Sequence, residues 1–249
     1  ILSTWDKAIS TTESLITNSQ QQKKSLMQQL LTGKKRRLDD SGTQFSEEWG
    51  SYRLEELATK ISDGIHSTPK YADTSHVRFI NGNNLKNGKI TFQESTKYVE
   101  EDDAENHRKD LSNRTILMSI NGTIGNLATY NGENIVLGKS ACYINVKQEV
   151  NLRFVFYKLA SSKVQSYFNV ELTGSTIKNL SLRTIKLTKI KLPSYKEQQK
   201  VTFTLTNADK EIDTLQQKLT YLKQEKKALM QQLLTGKRRV KVDNETEVA

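Results

Sequence analysis

Apolar residues follow two patterns: a seven-residue repeat at both ends of the chain, and short runs in its middle. In the C-terminal segment the leucines and isoleucines occupy a and d positions for about four heptads. The seam residues are Leu205, Ile212, Leu215, Leu219, Leu222, Leu229 and Leu233. Lys226 interrupts the seam, and Gly236 suits the C-terminus of a helix. This pattern predicts a long helix that buries one stripe against a partner helix.

The N-terminal segment repeats the same design. Residues 26–34 recur unchanged as residues 229–237, so the two segments are duplicated relatives. Thr12, Ser19 and Lys23 fall on the apolar stripe and weaken it, which means that this helix needs a partner. The other copy predicts an antiparallel coiled coil, and a second chain is the alternative partner. Because Ile1 already lies inside the helical pattern, we expect the chain to be a fragment of a longer protein.

The middle of the chain is different in kind. Strand-like runs separated by Gly- and Asn-rich turns occur at 76–80, 115–120, 134–137 and 142–146. Helical patterns occur at 53–58 and from 152 toward 168. The sequence therefore predicts an α/β (α+β) domain at residues 44–193. It is flanked by helical regions at 1–43 and 194–249, the second of which carries a basic tail.

Charge points to the class of partner. A net charge of +10 favours a polyanion, with nucleic acid first, although a merely soluble basic protein is the alternative. Residues 163–191 hold six basic residues and one acidic residue, whereas residues 94–110 hold seven acidic and three basic residues. The first stretch is a candidate phosphate-facing surface, and we expect the second to face solvent elsewhere.

Several kinds of chemistry lack their residues. The one cysteine, Cys142, excludes an internal disulfide and lies in an apolar stretch, which indicates a small buried side chain. The three histidines lack the spacing of a zinc site. No Pro-Pro loop of a DNA amino-methyltransferase and no G-x-G-x-x-G occur. Gly138-Lys139-Ser140 fails as a phosphate loop, because five residues rather than four separate it from Gly132.

We therefore predict a non-catalytic protein without metal or cofactor. The sequence contains neither a run long and apolar enough to span a membrane nor a signal peptide, so we expect a cytoplasmic protein and no membrane partner.

Polar loops in the middle domain carry groups suited to base edges and phosphates. They lie at residues 62–71, 81–84, 119–125 and 173–178. The candidate DNA-binding residues are His66, Ser67, Thr68, Lys70, Tyr71, Asn81, Asn83, Asn84, Asn121, Thr123, Ser175 and Lys178. The alternative for the loop at 62–71 is that Gly64 and Pro69 simply shape a turn.

In these segments the chain resembles the specificity subunit of a type I restriction–modification system. Three stretches carry the resemblance in the expected order: 61–69 with the pairs Phe79-Ile80 and Asn84-Leu85, then 115–125, then 173–181 with 190–198. The repeated helix end at 26–34 and 229–237 is similar to that family as well. The organisation resembles the C-terminal half of such a subunit: a central helical region, the second target recognition domain and a distal helical region.

The resemblance implies a subunit that recognises double-stranded DNA and performs no catalysis. The target recognition domain would read one half of a split target through the major groove. The helices would set the spacing between the halves and dock the modification (methyltransferase) subunits, and through them the restriction subunits. Self-association through the helices stays open. The alternative function is a coiled-coil scaffold whose middle domain binds a protein partner.

Overall fold

The computed structural model describes residues 2–173 and 178–239. The α-helices are α1 Leu2–Leu30, α2 Glu101–His107, α3 Leu152–Ala160, α4 Ser162–Val170, α5 Leu182–Leu187 and α6 Tyr195–Leu234. The strands are β1 Gly50–Arg53, β2 Ala58–Asp63, β3 Tyr71–Ala72, β4 Val77–Ile80, β5 Leu85–Lys86, β6 Lys89–Ile90, β7 Tyr98–Val99, β8 Thr115–Ser119, β9 Leu127–Thr129, β10 Ile135–Leu137, β11 Ala141–Val146 and β12 Lys189–Leu192.

The chain forms two compact units, one from residues 1–26 and 204–249 and the other from residues 27–203. The first is a helical unit made of α1 and most of α6, and the second contains the sheets. The two units are defined by compactness and do not test the domain boundaries. The domain boundaries proposed from the sequence, at 43/44 and 193/194, stay a prediction.

In the helical unit the heptad seam faces the partner helix, as predicted. Leu205 and Ile212 are buried, and the later seam residues of α6 are half-buried between exposed neighbours. Ion pairs join α1 to α6, and these are Asp6–Lys226, Glu13–Lys223 and Lys23–Asp209. Residue numbers rise along α1 as they fall along α6, which confirms the antiparallel coiled coil.

The two lysines on the seam are paired across the two helices. Lys23 pairs with Asp209, and Lys226 pairs with Asp6. In the duplicated segments Lys23 is the counterpart of Lys226, and Asp6 is the counterpart of Asp209, each 203 positions apart. The two ion pairs are therefore reciprocal, as in an interface with two-fold symmetry. Such polar pairs specify register, because a shifted alignment would separate both lysines from their carboxylates.

The second unit contains two four-stranded sheets and two smaller strand pairs. One sheet has the order β10-β4-β7-β3 and the other has the order β2-β11-β8-β9, while β1 pairs with β12 and β5 with β6. Strand β10 runs parallel to β4, and the other strand pairs are antiparallel. The core between them contains Ile80, Leu85, Leu117, Ala128, Ile135, Leu137, Ala141 and Tyr143.

The four strand-like runs read from the sequence are strands β4, β8, β10 and β11, so those predictions are confirmed. The helical pattern at 53–58 is a 3-10 helix of only four residues, Leu54–Leu57, and it leads directly into β2. The pattern beginning at 152 is broken at Ser161, whose hydroxyl donates to the carbonyl oxygen of Lys158 at 2.6 Å. Helix α2 lies inside the acidic stretch, where no helix was predicted.

Two cations flank Trp49 where the chain leaves α1. The guanidinium of Arg36 lies 5.8 Å, and the ammonium of Lys158 lies 5.7 Å, from the centre of the Trp49 ring. Lys158 Nζ also donates to the carbonyl oxygen of Leu31 at 2.9 Å, where a cation complements the C-terminus of α1. Phe154 packs edge-on against Trp49 at 5.9 Å between ring centres. These contacts attach residues 31–49 to α3.

We predict that Lys158 makes stability depend on pH. Burial, and then the nearby charges of Lys163 and Lys191, lower the pKa of Lys158 from 10.5 to about 8. Between these two values the unfolded chain binds more protons than the folded chain, so stability increases as pH rises. Relative to a Lys158→Met variant, the wild type should gain about 2 kcal/mol of unfolding free energy between about pH 7 and 10.

Denaturant unfolding across that pH range measures the effect. A Lys189→Met variant is the matched control, because Lys189 is exposed at the start of β12 and should follow the wild type. Parallel curves for the wild type and Lys158→Met would show that Lys158 is protonated equally in both states.

Candidate nucleic-acid interface

The turn formed by residues 138–140 connects the two four-stranded sheets. It leaves β10 at Leu137 and enters β11 at Ala141, and it is closed by a hydrogen bond from Ala141 N to Gly138 O at 3.1 Å. The loop at 62–71 crosses beside it after β2. Gly64 N donates to Ala141 O at 3.1 Å, and Ile65 N donates to Leu137 O at 2.7 Å. The first polar loop is thereby attached to the 138–140 turn by main-chain bonds.

This attachment depends on glycine. A Cβ on Gly64 would lie 2.1 Å from Leu137 O and 2.4 Å from Gly138 O. A Cβ on Gly138 would lie 2.4 Å from Asn81 Oδ1. Only residues without a side chain allow the backbones to approach this closely. Gly64 therefore has a structural role in close packing, and the DNA-binding role of the other residues in this loop stays a prediction.

The second polar loop, residues 81–84, contacts the same turn. Gly138 N donates to Ile80 O at 2.8 Å, and Gly82 N donates to Ser140 Oγ at 2.9 Å. The Ser140 hydroxyl in turn donates to Asn81 Oδ1 at 2.8 Å. The side-chain carbonyl oxygen of Asn81 therefore accepts a hydrogen bond from the turn.

Asn84 differs from the other candidate DNA-binding residues in its burial. It is buried, and its Nδ2 donates to Thr91 O at 3.0 Å and to Thr96 Oγ1 at 3.1 Å. Its Oδ1 accepts a hydrogen bond from Asn81 N at 3.0 Å. The amide is used within the fold, so Asn84 holds the second loop in shape and presents no free group to a duplex.

The third loop, residues 119–125, reaches the turn from β8. Ile120 N donates to Ser140 O at 2.9 Å, and Asn121 Nδ2 donates to Lys139 O at 3.4 Å. Gly122 N donates to Lys178 O at 3.2 Å, which joins the end of the fourth loop to the third. Three segments far apart in sequence therefore bond to residues 137–141, and the fourth segment bonds to the third loop through Lys178.

Most of the predicted residues have exposed side chains. Exposed side chains belong to His66, Ser67, Thr68, Lys70, Tyr71, Asn83, Thr123 and Lys178. Asn81 and Asn121 are half-buried beside the turn. Ser175 lies outside the described residues.

The first loop is also fixed at its far side by the acidic helix α2. Asp103 Oδ2 accepts a hydrogen bond from Lys70 N at 2.8 Å, and Glu100 N donates to Lys70 O at 2.9 Å. The expectation that the acidic stretch faces away from the loops therefore fails for Asp103, which anchors the main chain of Lys70. At the near side, His66 Nε2 lies 2.7 Å from Asp63 Oδ2.

The ring of Tyr71 contacts two neighbouring side chains. Its ring packs edge-on against Phe79 at 5.8 Å between centres, and Lys97 Nζ lies 4.2 Å from the ring centre. Arg78 lies 3.8 Å above the ring of Tyr98 in the adjacent strand. This group of aromatic rings and cations adds positive charge beside the first loop.

The basic residues of the stretch 163–191 have different neighbours. Lys178 O accepts a hydrogen bond from Gly122 N in the third loop, whereas Lys163 and Lys191 lie close enough to Lys158 for their charges to lower its pKa. The phosphate-facing surface stays a prediction.

Sequence reasoning missed Lys139. It is exposed at the centre of the 138–140 turn, and no carboxylate of the described residues pairs with its ammonium group. The signal was present in the Gly138-Lys139-Ser140 run, which was tested only as a phosphate loop. The strands on both sides, β10 and β11, identify it instead as a connection between sheets.

The remaining reactive groups belong to the core. Burial, followed by the charge of Asp63, raises the pKa of the Cys142 thiol to about 12, so the thiol stays protonated.

Within residues 2–173 and 178–239, no group of three or more His, Cys, Asp or Glu side chains is placed to hold a metal ion. None of the helices in the same described ranges is both long and apolar enough to cross a bilayer.

A pair of antiparallel helices accompanies an α/β domain with exposed polar loops, and this organisation is shared with a known family. The chain belongs to the family described as the type I restriction modification DNA specificity domain, whose model matches residues 46–224. This family is a non-catalytic DNA-recognition component of restriction–modification systems.

Solved structures share the fold. The S subunit of a type I restriction–modification system from M. genitalium aligns with a TM-score of 0.62 at 15% identity, over 92% of this chain and 57% of that chain. The HsdS subunit from Thermoanaerobacter tengcongensis aligns with a TM-score of 0.56 at 12% identity, over 93% of this chain and 54% of that chain. The chain spans a little more than half the length of these relatives.

Proposed function

We propose that this chain is a sequence-specific DNA-recognition subunit that reads one half of a split target. The observation that carries the proposal is that three polar loops bond to residues 137–141, while the fourth loop is joined to the third through Lys178. Main-chain bonds hold the loops in place, so the exposed side chains are presented by a preorganised surface. The family match and the net charge of +10 agree with a DNA partner.

The side chains divide by chemistry. The amides of Asn83 and Asn121 and the hydroxyls of Ser67, Thr68 and Thr123 can donate to and accept from base edges in the major groove. Lys70 and Lys178 are suited to phosphates, which position a protein without reading sequence. Ser175 belongs to this proposed set on sequence grounds alone.

The helices have a separate role in the proposal. Their antiparallel pair would set the distance between the two halves of the target, and it would dock the modification subunits and, through them, the restriction subunits. The reciprocal pairs Lys23–Asp209 and Lys226–Asp6 support such a spacer, because they fix its register. The compartment that we propose is the cytoplasm, where chromosomal and incoming DNA meet the protein.

The decisive experiment is selection from a random duplex library, with and without a modification subunit. We expect enrichment of a defined half-site, and His66→Ala or Lys70→Ala should alter target choice or affinity without unfolding the domain. The affinity should fall steeply with salt, because several phosphate contacts release counterions.

The scaffold alternative makes the opposite prediction. If the folded protein enriches no sequence in either condition, the middle domain does not read DNA, and a protein partner becomes the better hypothesis. Binding that barely changes with salt would support an apolar protein interface instead.

A further inference from the structure

Hydrogen bonds from two of the polar loops hold the main chain around Lys139. Asn121 Nδ2 donates to its carbonyl oxygen at 3.4 Å. The residues on either side are fixed as well, because Gly138 N donates to Ile80 O at 2.8 Å and Ser140 O accepts from Ile120 N at 2.9 Å. The side chain itself is exposed, so an ammonium group is presented on a turn whose main chain is fixed.

No carboxylate of the described residues pairs with this ammonium group. The contacts made by residues 138–140 with neighbouring side chains are to the neutral amides of Asn81 and Asn121. Both loops that contain these amides bond to the turn, and the loop at 62–71 crosses beside Gly138. Lys139 therefore lies on a turn that is joined to three of the polar loops.

The attachment of the turn to these loops has a consequence for the DNA group that Lys139 would meet. Phosphates line the edges of the major groove, whereas the base edges form its floor. If the amides and hydroxyls of the loops read base edges, a lysine on the turn that joins the loops would meet the same floor. Among the base edges, guanine presents two adjacent acceptors, O6 and N7, to a lysine donor.

We infer that Lys139 is a specificity-determining residue that donates to the O6 and N7 acceptors of a guanine in the half-target. The inference rests on the proposed function, because it requires that the loops bind a duplex. It assigns a base-reading role to a residue outside the set predicted from sequence.

The test compares Lys139→Met with a matched Lys60→Met control. Lys60 is also exposed. It lies opposite Asn145 in the β2–β11 strand pair, at the end of β11 that is away from the 138–140 turn. Affinity is measured for the selected duplex, for that duplex with each G·C pair replaced in turn, and for a non-specific duplex. Thermal unfolding of each variant verifies that the domain is folded.

We expect Lys139→Met to weaken binding of the selected duplex by about 10- to 100-fold, with little change for the non-specific duplex. One G·C position should lose its preference, and Lys139→Arg should retain it, because arginine makes the same pair of bonds with guanine. Lys60→Met should bind all duplexes as the wild type does.

Two results would overturn the inference while leaving the proposed function intact. Equal weakening for all duplexes, with the salt slope reduced by about 1, would make Lys139 a phosphate contact. Unchanged binding would remove it from the interface. A wild-type chain that selects no duplex at all would overturn the proposed function, and the role of Lys139 with it.

Discussion

Replacing Arg36 with Met is expected to lower the free energy of unfolding of the sheet-containing unit by about 3–5 kcal/mol. Arg36 donates from Nε to Glu197 Oε1 at 2.5 Å and from Nη2 to Glu197 Oε2 at 2.6 Å. Glu197 is only 1% exposed, so the variant leaves a buried carboxylate without its charge partner. The same guanidinium donates to Glu47 O at 3.0 Å, and that bond is lost as well.

Chemical denaturation followed by tryptophan fluorescence measures this effect, because Trp49 lies beside Arg36. Arg37→Met is the matched control: Arg37 is the next residue, is exposed and should change stability by less than about 0.5 kcal/mol. The double variant Arg36→Met, Glu197→Met should regain most of the loss, since both charges are then removed. Equal stability of Arg36→Met and Arg37→Met would contradict a structural role for the pair.

The helical unit could be predicted from sequence because its signal is local and periodic. The apolar heptad positions indicate which face of the helix is buried. The duplication of 26–34 at 229–237 identified the other helix as its partner. Even the polar residues Lys23 and Lys226, which weakened the pattern, proved to pair with carboxylates on the opposite helix. Periodicity alone could not show that pairing, since it depends on the register between the helices.

The strands were predictable for the same local reason, but their neighbours were not. The parallel pairing of β10 with β4 and the hydrogen bond between Gly82 and Ser140, which are 58 residues apart, depend on long-range packing. The polar loops could be chosen by composition, yet composition could not separate the exposed Asn83 from the buried Asn84. Lys139 was missed because its importance comes from what surrounds its turn and not from its own motif.

Gly64→Ala is expected to damage both the fold and the interface. The added Cβ would meet the carbonyl oxygens of Leu137 and Gly138 at 2.1 and 2.4 Å, and main-chain atoms cannot rotate away as a side chain can. We expect a loss of about 3 kcal/mol in unfolding free energy, at the upper end for overpacking. The main-chain bonds of Gly64 and Ile65 to the strands that flank the 138–140 turn should lengthen or break.

The control is Gly42→Ala, because an added Cβ there meets no atom within 4 Å and the only cost is its φ of +81°. That backbone strain is worth about 1 kcal/mol. Denaturation and duplex binding are measured on both variants. The comparison separates the effect of the Cβ clash at Gly64 from the effect of backbone strain alone at Gly42. Since the loop at 62–71 is seated on the turn through Gly64, target selection should be lost in Gly64→Ala and retained in Gly42→Ala. If Gly64→Ala still selects the wild-type target, the loop is positioned by its Asp103 anchor alone and not by the turn.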